Sequence, residues 1–184
     1  MSFLSKITRP LALILALSAL ALSGCGQKAE TLEGKEGARI DLDGLVYQVQ
    51  LSRQLNPKDV GDEQLTVGQL PTTRKEVLYG VFMRVENEES DKPLRAVPAQ
   101  NMKIVDAGGV EYKPLDASKS ALVYEPITMI KGDRIPVPDS AADNGPTKGS
   151  LILFKISLDS MENRPLILEI KGLNGRTGAV RLDI

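Results

Sequence analysis

The sequence predicts an all-β domain, an antiparallel β-sandwich of about eight strands with two long loops. Three observations carry that prediction. Apolar residues recur with a period of two in several stretches, the longest being Val77, Tyr79, Val81, Met83 and Val85. No stretch beyond residue 25 shows the 3.6-residue period of a long helix. Clusters of Gly, Pro, Asn and Asp punctuate the apolar runs at the spacing of strand connections.

The chain of 184 residues starts with a segment of different character. Residues 1–9 carry Lys6 and Arg9 and no acid, residues 11–22 are almost entirely Leu, Ala and Ile, and the small residues Ser23 and Gly24 follow. This is the basic, apolar, small-residue order of a secretory leader. As a helix the apolar run rises only about 18 Å, too short for a hydrocarbon core of about 30 Å. Leu22-Ser23-Gly24-Cys25 resembles the lipobox of bacterial lipoproteins at all four positions. The resemblance implies a signal peptide over 1–24, cleavage between Gly24 and Cys25, a diacylglyceryl group on the Cys25 thiol and often an acyl chain such as palmitate on the new amino group. Cys25 is the only cysteine, so it has no partner within the chain for a disulfide. Two or more acyl chains, each contributing about 0.8 kcal/mol per buried methylene, make membrane residence effectively permanent. The expected location is therefore extracytoplasmic, lipid-anchored at a cell membrane.

Removing the leader takes Lys6 and Arg9 away from 23 basic side chains, leaving 21 against 24 acids. A mildly acidic surface of mixed sign argues against nucleic acid as a partner and against polybasic recognition of lipid. Residues 26–38 are polar and glycine-rich, which predicts a flexible tether of roughly 40 Å when extended. One domain over residues 39–184 follows.

Within that domain Leu45, Tyr47, Val49 and Leu51 alternate with polar or smaller residues and predict a half-buried strand. Residues 53–75, broken by Pro57, Gly61, Gly68 and Pro71, form the first long loop. Residues 76–87 are the most strand-like run and end in a charged turn, 87–93. Met102–Val105, Asp106-Ala107-Gly108-Gly109 and Val110–Lys113 read as a hairpin whose glycines supply positive φ. Asp116 starts an expected helical turn over 115–121, and 127–130 is a short strand. The second long loop spans 132–149. Three strands close the chain: 151–158, with Ile152, Phe154 and Ile156 inward, 166–170 and 180–184, the last two joined across Asn174-Gly175.

The runs Tyr79-Gly80-Val81-Phe82-Met83-Arg84-Val85-Glu86-Asn87, Ile104-Val105-Asp106-Ala107-Gly108-Gly109-Val110-Glu111-Tyr112 and Gly149-Ser150-Leu151-Ile152-Leu153-Phe154 resemble exported bacterial lipoproteins whose globular part is an immunoglobulin-like, telokin-like sandwich of unassigned function. The resemblance covers roughly residues 40–184. It implies an immunoglobulin-like fold and a compartment, and it brings no catalytic residue. The disulfide between sheets and the core tryptophan of antibody domains are both missing.

With no histidine, Ser-His-Asp and Cys-His arrangements and His-based zinc sites are excluded. Ser118, Lys119 and Ser120 are adjacent, but the Ser-x-x-Lys, Ser-Asp-Asn and Lys-Thr-Gly set of penicillin-recognising enzymes does not occur in the mature chain. The expectation is a protein that is not an enzyme. Asp59, Asp62 and Glu63, and Asp139 with Asp143, offer oxygens of the type calcium takes, without EF-hand spacing; solvated acidic loops account for them. Glu86, Glu88, Glu89 and Asp91 read as a soluble turn that guards a strand edge. Met83, Met102, Met129 and Met161 are soft ligands of the kind copper(I) takes, but strand positions make them core filler. No cofactor is expected and no metal site is assigned.

A rigid scaffold with long loops favours a protein–protein interaction module, with Arg53, Asn56, Pro57, Leu65 and Leu70 as the candidate partner-binding loop and an envelope or surface protein as partner. The alternative is a lipoprotein that binds a small molecule or metal ion, which three or more converging carboxylates at the sandwich rim would favour. Packing of the 53–75 loop across the sandwich is the competing explanation for its apolar residues. If it serves binding, deleting 57–70 should leave the fold intact.

Overall fold

A computed structural model describes residues 30–70 and 73–182. The leader, the cleavage position Gly24 and the lipidation position Cys25 lie outside the described residues. The strands are β1 Thr31–Lys35, β2 Arg39–Leu42, β3 Leu45–Leu55, β4 Glu76–Glu86, β5 Leu94–Arg95, β6 Met102–Val105, β7 Glu111–Tyr112, β8 Thr128–Met129, β9 Arg134–Ile135, β10 Ser150–Ser157, β11 Leu166–Lys171 and β12 Thr177–Leu182. Three helices of four or five residues accompany them: α1 Val60–Glu63, α2 Ala141–Asn144 and α3 Leu158–Glu162. The fold is the expected β-sandwich, with twelve strands among the described residues where about eight were expected.

One sheet has the order β1-β12-β11-β6-β7 and the other β10-β4-β3-β2, with β9 also paired to β4. β5 and β8 form a separate ribbon. All pairings are antiparallel except β1 on β12, which is parallel and runs from Thr31 opposite Thr177 to Lys35 opposite Arg181. The period-two residues meet between the sheets as expected. Val77, Tyr79, Val81, Met83 and Val85 of β4, with Ile152, Phe154 and Ile156 of β10, face Met102, Ile104, Leu166, Leu168, Ile170, Val180 and Leu182 in one buried cluster.

The outer face of the β10-β4-β3-β2 sheet is buried too. Leu78 and Phe82 of β4, Leu55 of β3, and Leu151 and Leu153 of β10 form a second cluster with Leu65 and Ala117 from the segments that cross over them. This explains why Gly80 has no side chain. A Cβ there would lie 2.9 Å from Leu55 Cδ1 and 3.0 Å from Leu151 Cδ1. The chain folds into three layers on this side, because β4 and β10 are apolar on both faces.

Four further sequence expectations are corrected. The tether over 26–38 is overturned from Thr31 onward, where β1 is an edge strand; its Thr-Leu-Glu-Gly-Lys has little apolar period because pairing to β12 holds it in place. The domain thus begins before residue 39. Leu51 does not share the inward face of Val49. A β-bulge shifts the register between them, so Ser52 turns inward and Leu51 outward. The Tyr79 hydroxyl donates to Ser52 Oγ at 2.9 Å, and Ser52 in turn donates through its hydroxyl and N–H to Glu36 at 2.7 and 2.8 Å. Residues 115–121 make turns rather than a helical turn, with Asp116 Oδ1 accepting from the Ser118 N–H at 3.0 Å. Neither long loop is free of regular structure: β3 continues to Leu55 and α1 lies within the first, and β9 and α2 lie within the second.

Candidate functional site

The segment after β3 is anchored by one buried carboxylate. Asp59 caps α1 by accepting from the Gly61 N–H at 2.8 Å, and this turn brings Asp62 back towards β3. The Asp62 carboxylate then receives both Arg53 guanidinium nitrogens, one of them at 3.1 Å, and the Asn56 N–H at 2.8 Å. Arg53 beside it, and the Asn56 N–H, hold the Asp62 carboxyl below the usual carboxylate range against the opposing effect of burial. Further bonds fix the rest of the segment. Thr66 donates to the Asp62 carbonyl at 2.9 Å, Ser120 to the Gln64 carbonyl at 2.9 Å, and Gln69 to the Asp116 carbonyl at 2.8 Å.

The five candidate residues separate into two groups. Leu65 is only 6% exposed and fills the outer cluster against the sheet, so it is withdrawn from the contact surface. Arg53 is half-buried in the ion pair with Asp62. Asn56 is exposed, and its side chain accepts from the Lys58 N–H at 3.1 Å. Pro57 and Leu70 come together, lining a shallow hollow with Glu63, Val67 and Gln69. Leu70 is 69% exposed there, and Val60, at the first position of α1 in the same segment, is 84% exposed. The sequence reading missed Val60. The signal for Val60 was present in Asp59-Val60-Gly61-Asp62-Glu63, a helix start in which a valine at the first helical position has nothing to pack against.

Asp143, Glu86, Glu88 and Asp91 have structural partners. Both carboxylate oxygens of Asp143 accept from the same Arg134 nitrogen, Nη2, at 2.8 and 3.0 Å, which fastens α2 to β9. Arg84 and Arg39 lower Glu86 despite its burial, Arg39 also pairs with Glu88, and Lys131 reaches Asp91 at 3.6 Å. Among the described residues no three His, Cys, Asp or Glu side chains converge as a metal site would need. Met83, Met102 and Met129 are fully buried in apolar packing, and Met161 packs against the same core. The Ser120 hydroxyl proton is committed to the Gln64 carbonyl.

No protein-family model matches the chain, and no curated protein matches it. Solved structures do resemble it. The secreted protein MPT63 of Mycobacterium tuberculosis aligns with a TM-score of 0.50 at 12% identity, covering 83% of this chain and 98% of that one. The yjhA protein of Bacillus subtilis aligns at 0.48 and 10% identity, covering 82% and 99%. An uncharacterised β-sandwich protein of Clostridium difficile aligns at 0.46 and 11%, covering 85% and 97%. At these identities the likeness to MPT63 concerns the fold alone: the chain shares the β-sandwich architecture across most of its length.

Proposed function

We propose that this protein is a membrane-anchored extracytoplasmic lipoprotein whose sandwich serves as a protein–protein interaction module. The observation that carries the interaction reading is the loop 56–70, whose backbone is pinned by Asp62, Thr66 and Gln69 while Val60, Val67 and Leu70 are left in solvent. A surface already ordered loses little conformational freedom when a partner covers it. Exposed apolar groups beside polar ones are the composition of an interface core and rim. The anchoring reading rests on the leader and on Leu22-Ser23-Gly24-Cys25. The likeness in fold to a secreted protein is compatible with it. Among the described residues no helix is long and apolar enough to cross a membrane.

Two experiments test the two halves. Cys25→Ala should abolish labelling by a fatty-acyl probe and move the protein from the membrane to the soluble fraction; continued labelling would end the anchoring reading. A photo-crosslinking residue in place of Val60 or Leu70 in intact cells should give a discrete protein adduct, and one in place of the exposed Glu111 should not. Adducts of the same pattern at all three positions, or at none, would end the interaction reading.

A further inference from the structure

We propose that the sandwich stands on the bilayer by one defined end, formed by the turns 43–44, 87–93, 130–133 and 172–176, with Leu173 and Ile130 in the lipid interface and the 56–70 loop held away from it. The inference rests on the lipidation of Cys25 proposed above, and adds to it the surface that meets the lipid.

The argument is one of chain length. Residue 30 is fixed to the body: the Thr177 N–H donates to the Glu30 carbonyl at 3.1 Å, and the Glu30 carboxylate pairs with Arg176 at 3.4 Å. From there β1 runs inward parallel to β12. Only five Cα-to-Cα steps separate Cys25 from Glu30, about 18 Å at full extension. The polar zone outside the hydrocarbon core is itself on the order of 5–8 Å thick on each side. Residue 30 is therefore held within about 10–13 Å of the headgroups, a short reach beside a body on the order of 36 Å long, so the end that carries it is the end nearest the bilayer.

What lies there is one end of the sandwich. The 172–176 hairpin touches the turn between β2 and β3, where the Asn174 N–H donates to Asp43 Oδ2 at 3.1 Å. Asn87, just past the end of β4, exchanges backbone bonds with Gly132 at 2.7 Å and Asp133 at 3.0 Å, which brings the 130–133 turn to the same end. Leu173 is 50% and Ile130 58% exposed at these turns. Lys171, Arg176, Lys131 and Lys92 flank them, with stems long enough to lie along an apolar boundary while the charge stays in water. Glu30, Glu88 and Asp91 nearby are paired with Arg176, Arg39 and Lys131. The 56–70 loop leaves from the opposite end of β3, an eleven-residue strand that spans on the order of 36 Å. The Asp106–Gly109 turn is at that far end as well, and Val110 beside it is 49% exposed.

The orientation can be read with single cysteines in the acylated full chain, because the thioether at Cys25 leaves no other thiol to label. Leu173→Cys, Ile130→Cys and Val110→Cys variants carry an environment-sensitive fluorophore in phosphatidylcholine–phosphatidylglycerol vesicles that contain a headgroup-attached quencher. Labels at 173 and 130 should be strongly quenched and blue-shifted, and the label at 110 should behave as it does in water. Equal quenching at all three sites, or stronger quenching at 110, would overturn the proposal. A Gly/Ser insert of about twenty residues after Gly26 should weaken quenching at 173, since a longer flexible chain dilutes the body away from the surface. Quenching at 173 that ignores the insert would overturn chain length as the cause. Failure of the anchoring reading is seen separately: the unsubstituted protein would then take up the thiol label and not float with vesicles, and the proposal falls with it.

Discussion

At the scale of single residues, Asp62 and Leu65 decide whether the 56–70 segment is a loop in solution or part of the fold. Asp62 satisfies a guanidinium and a backbone N–H at once, so replacing it leaves two donors without their acceptor in a partly dry site. Asp62→Ala should lower stability by about 1–3 kcal/mol in urea unfolding. Leu65→Ala opens space among Leu55, Leu78 and Phe82 and should cost about 2–5 kcal/mol by the same measurement. Leu70→Asp removes only exposed apolar surface. Its unfolding midpoint should stay within about 0.5 kcal/mol of the parent while crosslinking from position 60 is lost. Loss of both would mean that Leu70 packs rather than binds.

At the scale of elements, the 56–70 segment behaves as a lid over the second cluster. Deleting 57–70 would bare Leu55, Leu78 and Phe82 and remove Leu65, so the tolerance expected of a free surface loop is replaced by its opposite. The deletion variant should lose cooperative melting or melt far below the parent; an unchanged melting curve would show the cover to be dispensable. The sheet-forming strands were legible wherever their own residues are strongly apolar, as in the two-faced runs of β4 and β10, or alternate, as in β11. Those that exist through a neighbour were not. β1 offers Thr-Leu-Glu-Gly-Lys, and β2 only Ile40 and Leu42 between charges, so neither announces itself without β12 and β3 beside it. The bulge after Val49 was hidden for a related reason: Leu51 continues the period, and only the ladder opposite β4 shows that the face has changed. The candidate site was half legible. Proline and glycine marked the loop, but nothing in Arg53 or Asp62 as letters shows that they pair, and Leu65 and Leu70 look alike until one packs on the sheet and the other is left in solvent.

At the scale of the whole molecule, the carboxylates set an acid limit. Arg53 lowers Asp62, and the Ser160 hydroxyl, at 2.6 Å, with the Val110 and Gly108 N–H groups, lowers Asp106. The Ser118 N–H lowers Asp116 likewise. A carboxyl more acidic in the folded chain adds stability that is complete above its unfolded value near 4 and is lost as pH falls through the folded value. Thermal midpoints should be flat near neutrality and decline below about pH 4. At the other limit, burial pushes Tyr47 and Tyr79 up to about 12. Their stabilisation is intact below pH of about 10, where the unfolded tyrosine titrates, and disappears as pH rises through 12.

The parallel union of β1 with β12 also has a mechanical meaning. A pull entering at residue 30 acts along the strand direction, across a ladder of evenly spaced, slanted hydrogen bonds, so five residue pairs resist together instead of opening one by one. A molecule gripped at that terminus and tugged from its opposite pole would be sheared, which is the direction in which a short strand holds best.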